Sequence, residues 1–233
     1  MHIAVFGANG LTGRLLVQQA LDAGYEVVAA TRRPDEFPIS HAALEVAKAD
    51  VHDGNDVDRV VEGTDAVLSA LGVPFAREPM NVYSDGITNI LESMTRFGVK
   101  RVAAVSSTAV EPHHHADGGF MLNRIVQPIV SRTIGKTTYA DMRVMEEILR
   151  ASALDWTIVR SAGLFDAQQV SEYAVSEGPL DGIFTSRADL AACLLAQVAD
   201  TQYVHQAIEI NTLDGAPTLF EMIRREAFKK EKG

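Results

Sequence analysis

Apolar positions along the first two thirds of this chain fall into two alternating rhythms. Short, mostly apolar runs occur at His2–Phe6, Glu26–Ala30, Leu44–Lys48, Ala66–Ser69, Arg101–Ser106 and Trp156–Arg160. Runs of that length suit strands covered on both faces. Between them the apolar residues recur at helical spacing, in Leu15–Leu21, Asn55–Val61, Val82–Phe97 (closed by Gly98) and Thr137–Ala151. Alternation of this kind predicts an α/β chain with a Rossmann-like, doubly wound parallel sheet and right-handed crossovers. The last third is less regular. It predicts a hairpin around Glu177–Thr185, a helix over Ala188–Val198, a short strand at Ala207–Ile210 and a terminal helix from Thr218. Residues 1–233 read as one domain, with the substrate side built mainly from 107–135 and from a small irregular C-terminal region, 161–233.

The first crossover carries the strongest chemical signal. The first strand runs straight into Gly7-Ala8-Asn9-Gly10-Leu11-Thr12-Gly13, and an amphipathic helix follows. Glycines at these positions allow positive φ in the turn and let backbone N–H groups approach phosphate oxygens, while the helix N-terminus adds its dipole. The expected ligand is a nucleotide pyrophosphate. Thr12 offers a hydroxyl donor, Leu11 lies between the last two glycines, and Asn9 can brace the turn with its amide.

Composition narrows the partners. The chain is 47% hydrophobic and 22% charged, enough to build a core without disulfides. A net charge of −10 argues against nonspecific nucleic-acid binding. Any anionic ligand must then be held by local dipoles and a few arginines. The single cysteine, Cys193, lies in Leu190–Leu195 and reads as a core thiol. No apolar stretch approaches membrane-spanning length, so a reducing cytoplasm is the expected location.

The second strand decides which nucleotide is expected. NAD-binding units of this type usually place a carboxylate there for the ribose hydroxyls. This chain has Thr31-Arg32-Arg33-Pro34. Two guanidiniums can pair with a 2′-phosphate, so NADP(H) is expected over NAD(H), with Arg32 the better placed. Asp50-Val51 follows the third strand, where the carboxylate can accept from the adenine amine and Val51 can pack on the ring; a plain strand-ending turn is the alternative. Small residues after the fourth strand, in Ser69-Ala70-Leu71-Gly72, allow the backbone to pass close to the ribose.

Taken in order, Gly7–Gly13, Thr31–Pro34, Asp50-Val51, Val105-Ser106-Ser107, Leu154–Arg160 and Ser186–Ala191 resemble the atypical short-chain dehydrogenase/reductase superfamily. The resemblance covers nearly the whole chain and is to the NmrA-like, NAD(P)H-binding subgroup, which includes small flavin or biliverdin reductase-like proteins. It implies a Rossmann-like fold, NADP(H) as cofactor and a substrate pocket walled by the C-terminal part. Relatives place a Ser after the fifth strand and a Tyr-x-x-x-Lys on the next helix. Tyr is the acid or base for hydride transfer, and Lys binds the ribose and lowers the Tyr pKa. This chain has Ser106 and Ser107, then Tyr139 and Arg143, with Arg143 standing where Lys would be. Arg can hold a ribose and favour a phenolate, but it cannot relay a proton. Asp141 and Glu147 read as helix-surface charges. Ser161 and Ala162 depart from the Pro-Gly of relatives, yet are small enough for backbone groups to meet the nicotinamide carboxamide.

His113-His114-His115 reads as a loop and not as a metal site, because three adjacent imidazoles cannot all face one ion from a regular element. No metal is expected. The partners expected are a small-molecule substrate and, for quaternary structure, a monomer or homodimer. Two classes of function remain open at this point. One is an NADPH-dependent oxidoreductase acting on a small carbonyl, quinone or flavin, with a nucleotide-sugar epimerase or dehydratase as a variant. The other is an NADP(H)-binding redox sensor without turnover.

Overall fold

Strand β1 (His2–Phe6) is the centre from which the chain winds outward in both directions. The computed structural model describes residues 1–74, 78–112, 135–167 and 169–218. From β1 the chain crosses through α1 (Leu11–Asp22) to β2 (Glu26–Thr31) and on to the edge strand β3 (Leu44–Lys48). It then passes through α2 (Gly54–Val61) and returns to β4 (Ala66–Ser69) on the other side of β1. Helix α3 (Val82–Phe97), β5 (Arg101–Ser107), α4 (Lys136–Ala151) and β6 (Asp155–Ser161) continue in that second direction. After β6 come β7 (Gly163–Phe165), β8 (Tyr173–Ser176), β9 (Phe184–Ser186), α5 (Arg187–Ala196) and β10 (Gln206–Thr212).

Among the described residues the main sheet has eight strands in the order β3-β2-β1-β4-β5-β6-β10-β8. The order reverses between β1 and β4. In open α/β sheets the crevice beyond the carboxyl ends of strands at such a switch is where ligands bind. Only β8 runs antiparallel to its neighbour, β10.

Helices cover both faces, as the apolar strands predicted. On one face Val57 and Val60 of α2, Ile87, Ile90 and Met94 of α3, and Met142, Met145 and Leu149 of α4 pack on the sheet. On the other, Leu16, Val17 and Ala20 of α1 meet Leu190, Ala191 and Leu194 of α5. Full burial of each such side chain contributes on the order of 1.5–3 kcal/mol. Cys193 lies in this second layer, and burial pushes its thiol pKa up to about 12, consistent with a core role.

Three expectations need correction. Residues 177–185 do not form a hairpin: β8 pairs with β10, and β9 pairs in parallel with β7 in a separate two-stranded sheet. The strands on either side of these residues find their partners elsewhere in the chain. Regular structure also reaches further than the sequence pattern suggested, since α5 and β10 are part of the main layers. Ile208 and Ile210 alternate into the α1/α5 face, and β10 extends to Thr212. Asp141 is not a surface charge, being 5% exposed. Its carboxylate accepts from the backbone N–H groups of Tyr83 (2.9 Å) and Ser84 (3.3 Å) and so caps α3 from the neighbouring helix. Asn81, the residue at the α3 N-cap, supplies no side-chain cap of its own. Glu147 is exposed, as expected. The predicted terminal helix beyond Thr218 lies outside the described residues.

Candidate functional site

The glycine turn sits at the switch point and is built by close contact. Gly7 has φ +74°, and a Cβ there would lie 2.4 Å from the carbonyl oxygen of Ala70, which leaves β4 on the far side of the switch. A Cβ on Gly13 would lie 2.1 Å from the Gly7 carbonyl oxygen and 2.8 Å from Ala8 Cα. The Gly10 N–H donates to that same Gly7 carbonyl at 3.0 Å and closes the turn. Helix α1 therefore starts in contact with the turn. Its N-cap, Gly10, provides no side-chain cap, and its first turn holds no acidic residue. The leading N–H groups of a helix have no partner within it, and here no carboxylate competes for them. This cradle fits a pyrophosphate.

Asn9 does not brace the turn in the way expected. Its Oδ1 accepts from both Nε (2.9 Å) and Nη2 (2.7 Å) of Arg14 in the first turn of α1. Sequence reasoning missed Arg14. The available signal was a cation at a helix start, where the dipole disfavours one. Leu11 remains 63% exposed at the mouth of the cradle.

Beyond β2, Thr31 Oγ1 accepts from the Arg33 N–H at 3.1 Å and shapes the exit of the strand. The Arg33 guanidinium pairs with Glu36 at 3.0 Å. Arg32 is exposed and makes no ion pair among the described residues. Of the two arginines, Arg32 is therefore the one open to a ligand. At the end of β3, Asp50 Oδ1 accepts from the His52 N–H (3.0 Å), while the Asp50 N–H donates to Asp56 Oδ2 (2.9 Å). The Val51 carbonyl accepts from Asn89 Nδ2 at 2.7 Å. Val51 and Leu71 close over Gly86 of α3, where a Cβ would come within 3.2 Å of Val51 Cγ2 and 3.1 Å of Leu71 Cδ1. Val51 and Leu71 are half-buried, and Gly72 beside them is exposed.

The expected catalytic residues divide into two groups. Ser107 and Tyr139 come together: the Tyr139 phenol is hydrogen-bonded to the Ser107 side chain, and burial raises its pKa while that bond opposes the rise. Ser107 Oγ also accepts from the Ala109 N–H at 3.2 Å. Arg143 does reach the same region, but its Nη2 donates to the Val110 carbonyl at 2.9 Å. It holds the turn that follows β5. Ser106, by contrast, is buried and faces inward, donating from Oγ to Glu146 Oε1 at 2.6 Å. Ser161 Oγ lies 3.4 Å from the Ser106 carbonyl, and the Ala162 N–H donates to Thr185 Oγ1 at 3.1 Å.

Glu146 is the second residue that sequence reasoning missed. Its carboxylate, 3% exposed, accepts from Arg160 Nε (3.0 Å) and Nη2 (2.6 Å) as well as from Ser106. Arg160 Nη1 reaches on to Glu111 Oε2 at 2.6 Å. Burial works against the Arg160 charge, but the two glutamates outweigh it and hold its pKa above the ordinary value. Glu146 lies two helical turns from Tyr139 on α4, so this network pins the same helix that carries the phenol.

The NAD(P)H-binding family profile matches residues 7–201, from the first glycine of the cradle to beyond α5. The chain belongs to the NAD(P)H-binding family. This agrees with the atypical short-chain dehydrogenase/reductase, NmrA-like resemblance of its motifs and with the pyrophosphate cradle at the switch point. An uncharacterized protein of Mycobacterium tuberculosis is 36% identical over 108 residues, covering 46% of this chain; the chain spans 12% of the length of that relative. An uncharacterized chloroplastic protein of Arabidopsis thaliana is 30% identical over 172 residues, covering 70% of this chain and 59% of its own. The crystal structure of a Veillonella parvula short-chain dehydrogenase/reductase in complex with NADP has a similar fold. Its TM-score is 0.73 at 18% identity, covering 92% of this chain and 95% of its own.

Among the described residues no group of three or more His, Cys, Asp or Glu is placed to hold a metal ion. His113–His115 lie outside the described residues. No helix among the described residues is long and apolar enough to cross a membrane.

Proposed function

We propose that this NAD(P)H-binding protein is an NADPH-dependent reductase acting on a small carbonyl, quinone or flavin acceptor. The observation that carries the reading is the exit of β2. Where an NAD-binding unit usually presents a carboxylate, this chain presents Arg32, which is exposed and unpaired among the described residues. The backbone of Gly7–Gly13 would hold the pyrophosphate, Arg32 the 2′-phosphate, Asp50 and Val51 the adenine, and the Ala70–Gly72 backbone the ribose. When bound, the cofactor supplies a hydride.

The chain's own contribution to carbonyl reduction is a proton. A raised pKa keeps the Tyr139 phenol protonated at neutral pH, so it is suited to donate O–H to a developing alkoxide and not to begin as a base. Ser107, already bonded to that phenol, orients it. For a flavin or quinone acceptor the proton can come from water, and the residues act by holding donor and acceptor together.

A second reading, cofactor sensing without turnover, is favoured by one observation: position 143 holds Arg where relatives have Lys, and its guanidinium donates to the Val110 carbonyl at 2.9 Å. Turnover separates the two. Purified protein is mixed with NADPH or NADH and a panel of aldehydes, quinones and flavins, and the reduced nicotinamide band near ~340 nm is followed. Loss of the band with NADPH, faster than with NADH, is the expected result. Tight NADPH binding with no loss across the panel would establish the sensor.

A further inference from the structure

We infer that Arg14, held in place by Asn9, is a second ligand for the 2′-phosphate and shares with Arg32 the discrimination of NADP(H) from NAD(H). The inference rests on the NADPH reading above and adds a residue to it.

Strands β1 and β2 pair in parallel with Phe6 opposite Ala30, so Gly7 is level with Thr31 and the residues that follow leave the sheet side by side. The turn carrying Asn9 and the segment carrying Arg32 therefore leave adjacent strands at the same end of the sheet. Helix α1 crosses from β1 to β2, and Arg14 is in its first turn; the Arg14 N–H makes the bond back to the Gly10 carbonyl, at 2.9 Å.

Hydrogen-bond chemistry then fixes the orientation. A guanidinium only donates, so the atom of Asn9 that receives both Arg14 bonds must be Oδ1. The Asn9 Nδ2 group is turned away and has no protein partner among the described residues. Arg14 uses two of its five N–H donors on Asn9, and the other three remain for a ligand. It has no carboxylate partner among the described residues, whereas Arg33 is neutralised by Glu36.

Electrostatics gives the reason to expect an anion. The helix dipole disfavours a cation at the start of α1, and here a dedicated side chain holds one there. A local rule broken in this way at a ligand-binding edge is resolved when a phosphate arrives. The pyrophosphate is already served by the backbone cradle, which leaves the Arg14 guanidinium, braced by Asn9, for the further phosphate that Arg32 would meet.

The test is isothermal calorimetry with NADP⁺, NAD⁺, 2′,5′-ADP and 5′-AMP on the wild type, Arg14→Gln and Asn9→Ala. Arg14→Gln should weaken NADP⁺ and 2′,5′-ADP by about 10- to 100-fold, the range of a lost charge-assisted bond, and leave NAD⁺ and 5′-AMP within about twofold. Asn9→Ala should show the same selective loss, which keeps the inference testable if Arg14→Gln fails to fold. Equal losses for NADP⁺ and NAD⁺ would assign Arg14 to the pyrophosphate and overturn the inference, as would no loss for either. A wild type that prefers NADP⁺ while both variants keep that preference overturns the inference alone. A wild type without that preference overturns the NADPH reading as well.

Discussion

Removing the Glu146 carboxylate is the perturbation whose size the structure defines best. Glu146 accepts three hydrogen bonds, from Ser106 Oγ and from Nε and Nη2 of Arg160, at 2.6, 3.0 and 2.6 Å. Its side chain is almost wholly buried, and the Arg160 side chain is 11% exposed. Breaking a buried ion pair from one side costs about 3–5 kcal/mol, because the other charge is left without compensation. Two groups remain near the site in a Glu146→Ala variant. Arg160 keeps Glu111 at 2.6 Å, but Glu111 is 74% exposed and its attraction is screened. Arg150, 3.5 Å from Glu146, is 44% exposed and can turn to water. The loss should therefore fall at the lower end, about 3 kcal/mol. For a chain of this size that corresponds to a drop in Tm of about 6–12 °C.

Urea unfolding of wild type, Glu146→Ala, Arg160→Met and the double variant measures it. Because the partners touch, the two single losses should not add, and the interaction energy should exceed about 1.5 kcal/mol. A Glu146→Leu, Arg160→Met pair should lie closer to wild type than either single change, since well-packed apolar residues can replace a buried ion pair. Additive losses, or a Glu146→Ala loss under about 0.5 kcal/mol, would refute the argument that this pair is a single buried unit.

Four further outcomes follow from the same contacts. Gly13→Ala should abolish detectable NAD(P)H binding by calorimetry and lower stability by about 1–3 kcal/mol, since its Cβ would stand 2.1 Å from the Gly7 carbonyl. Asp141→Ala should cost about 1–2 kcal/mol in urea unfolding, as it uncaps α3 from within the core. Glu111 is held below the ordinary carboxylate range by its hydrogen bond to Arg160, so its stabilising effect is complete above about pH 4.5 and fades as the pH falls through the lower folded value. Glu111→Gln should flatten that acid limb of a stability–pH curve and leave neutral pH less affected. Cys193, its thiol pushed up to about 12 by burial, should resist a thiol reagent in the native protein and react fully after denaturation; rapid native labelling would contradict its place between α1 and α5.

The parts of the fold that were legible in the sequence are those set by local rules. An apolar run, a glycine turn and an amphipathic helix define β1, the cradle and α1 without reference to anything distant, and Gly98, in the left-handed region at φ +75°, ended α3 where expected. The hairpin expected around Glu177–Thr185 does not form because strand pairing there is not local: β8 and β9 each pair with a strand remote from the intervening turn. The same distinction divides the site. Glycines, Arg32 and the Tyr139–Arg143 spacing are visible in sequence. What each side chain faces is decided by register across the sheet and by contacts between helices.

Ser106 and Ser107 show this most sharply. They are adjacent in sequence and equivalent as candidates, yet successive residues of a strand point to opposite faces. Register places Ser106 opposite Arg160 and Ser107 opposite Ser161. Ser106 is thus committed to the buried Glu146–Arg160 pair, and Ser107 is left for the phenol. One charged residue in the apolar strand, Arg160, and one on the buried side of α4, Glu146, were the hints that they belong together. Arg143 follows the same logic. The i, i+4 spacing did bring it to the region of Tyr139, but its planar fork met the Val110 carbonyl before any partner near the phenol. If Tyr139 is the proton donor, Tyr139→Phe should abolish carbonyl reduction while leaving NADPH affinity unchanged. Arg143→Lys, which frees the Val110 carbonyl and restores the side chain of relatives, should shift the pH dependence of turnover downward by lowering the phenol pKa. An unmoved profile would mean that position 143 acts on the turn after β5 and not on the phenol.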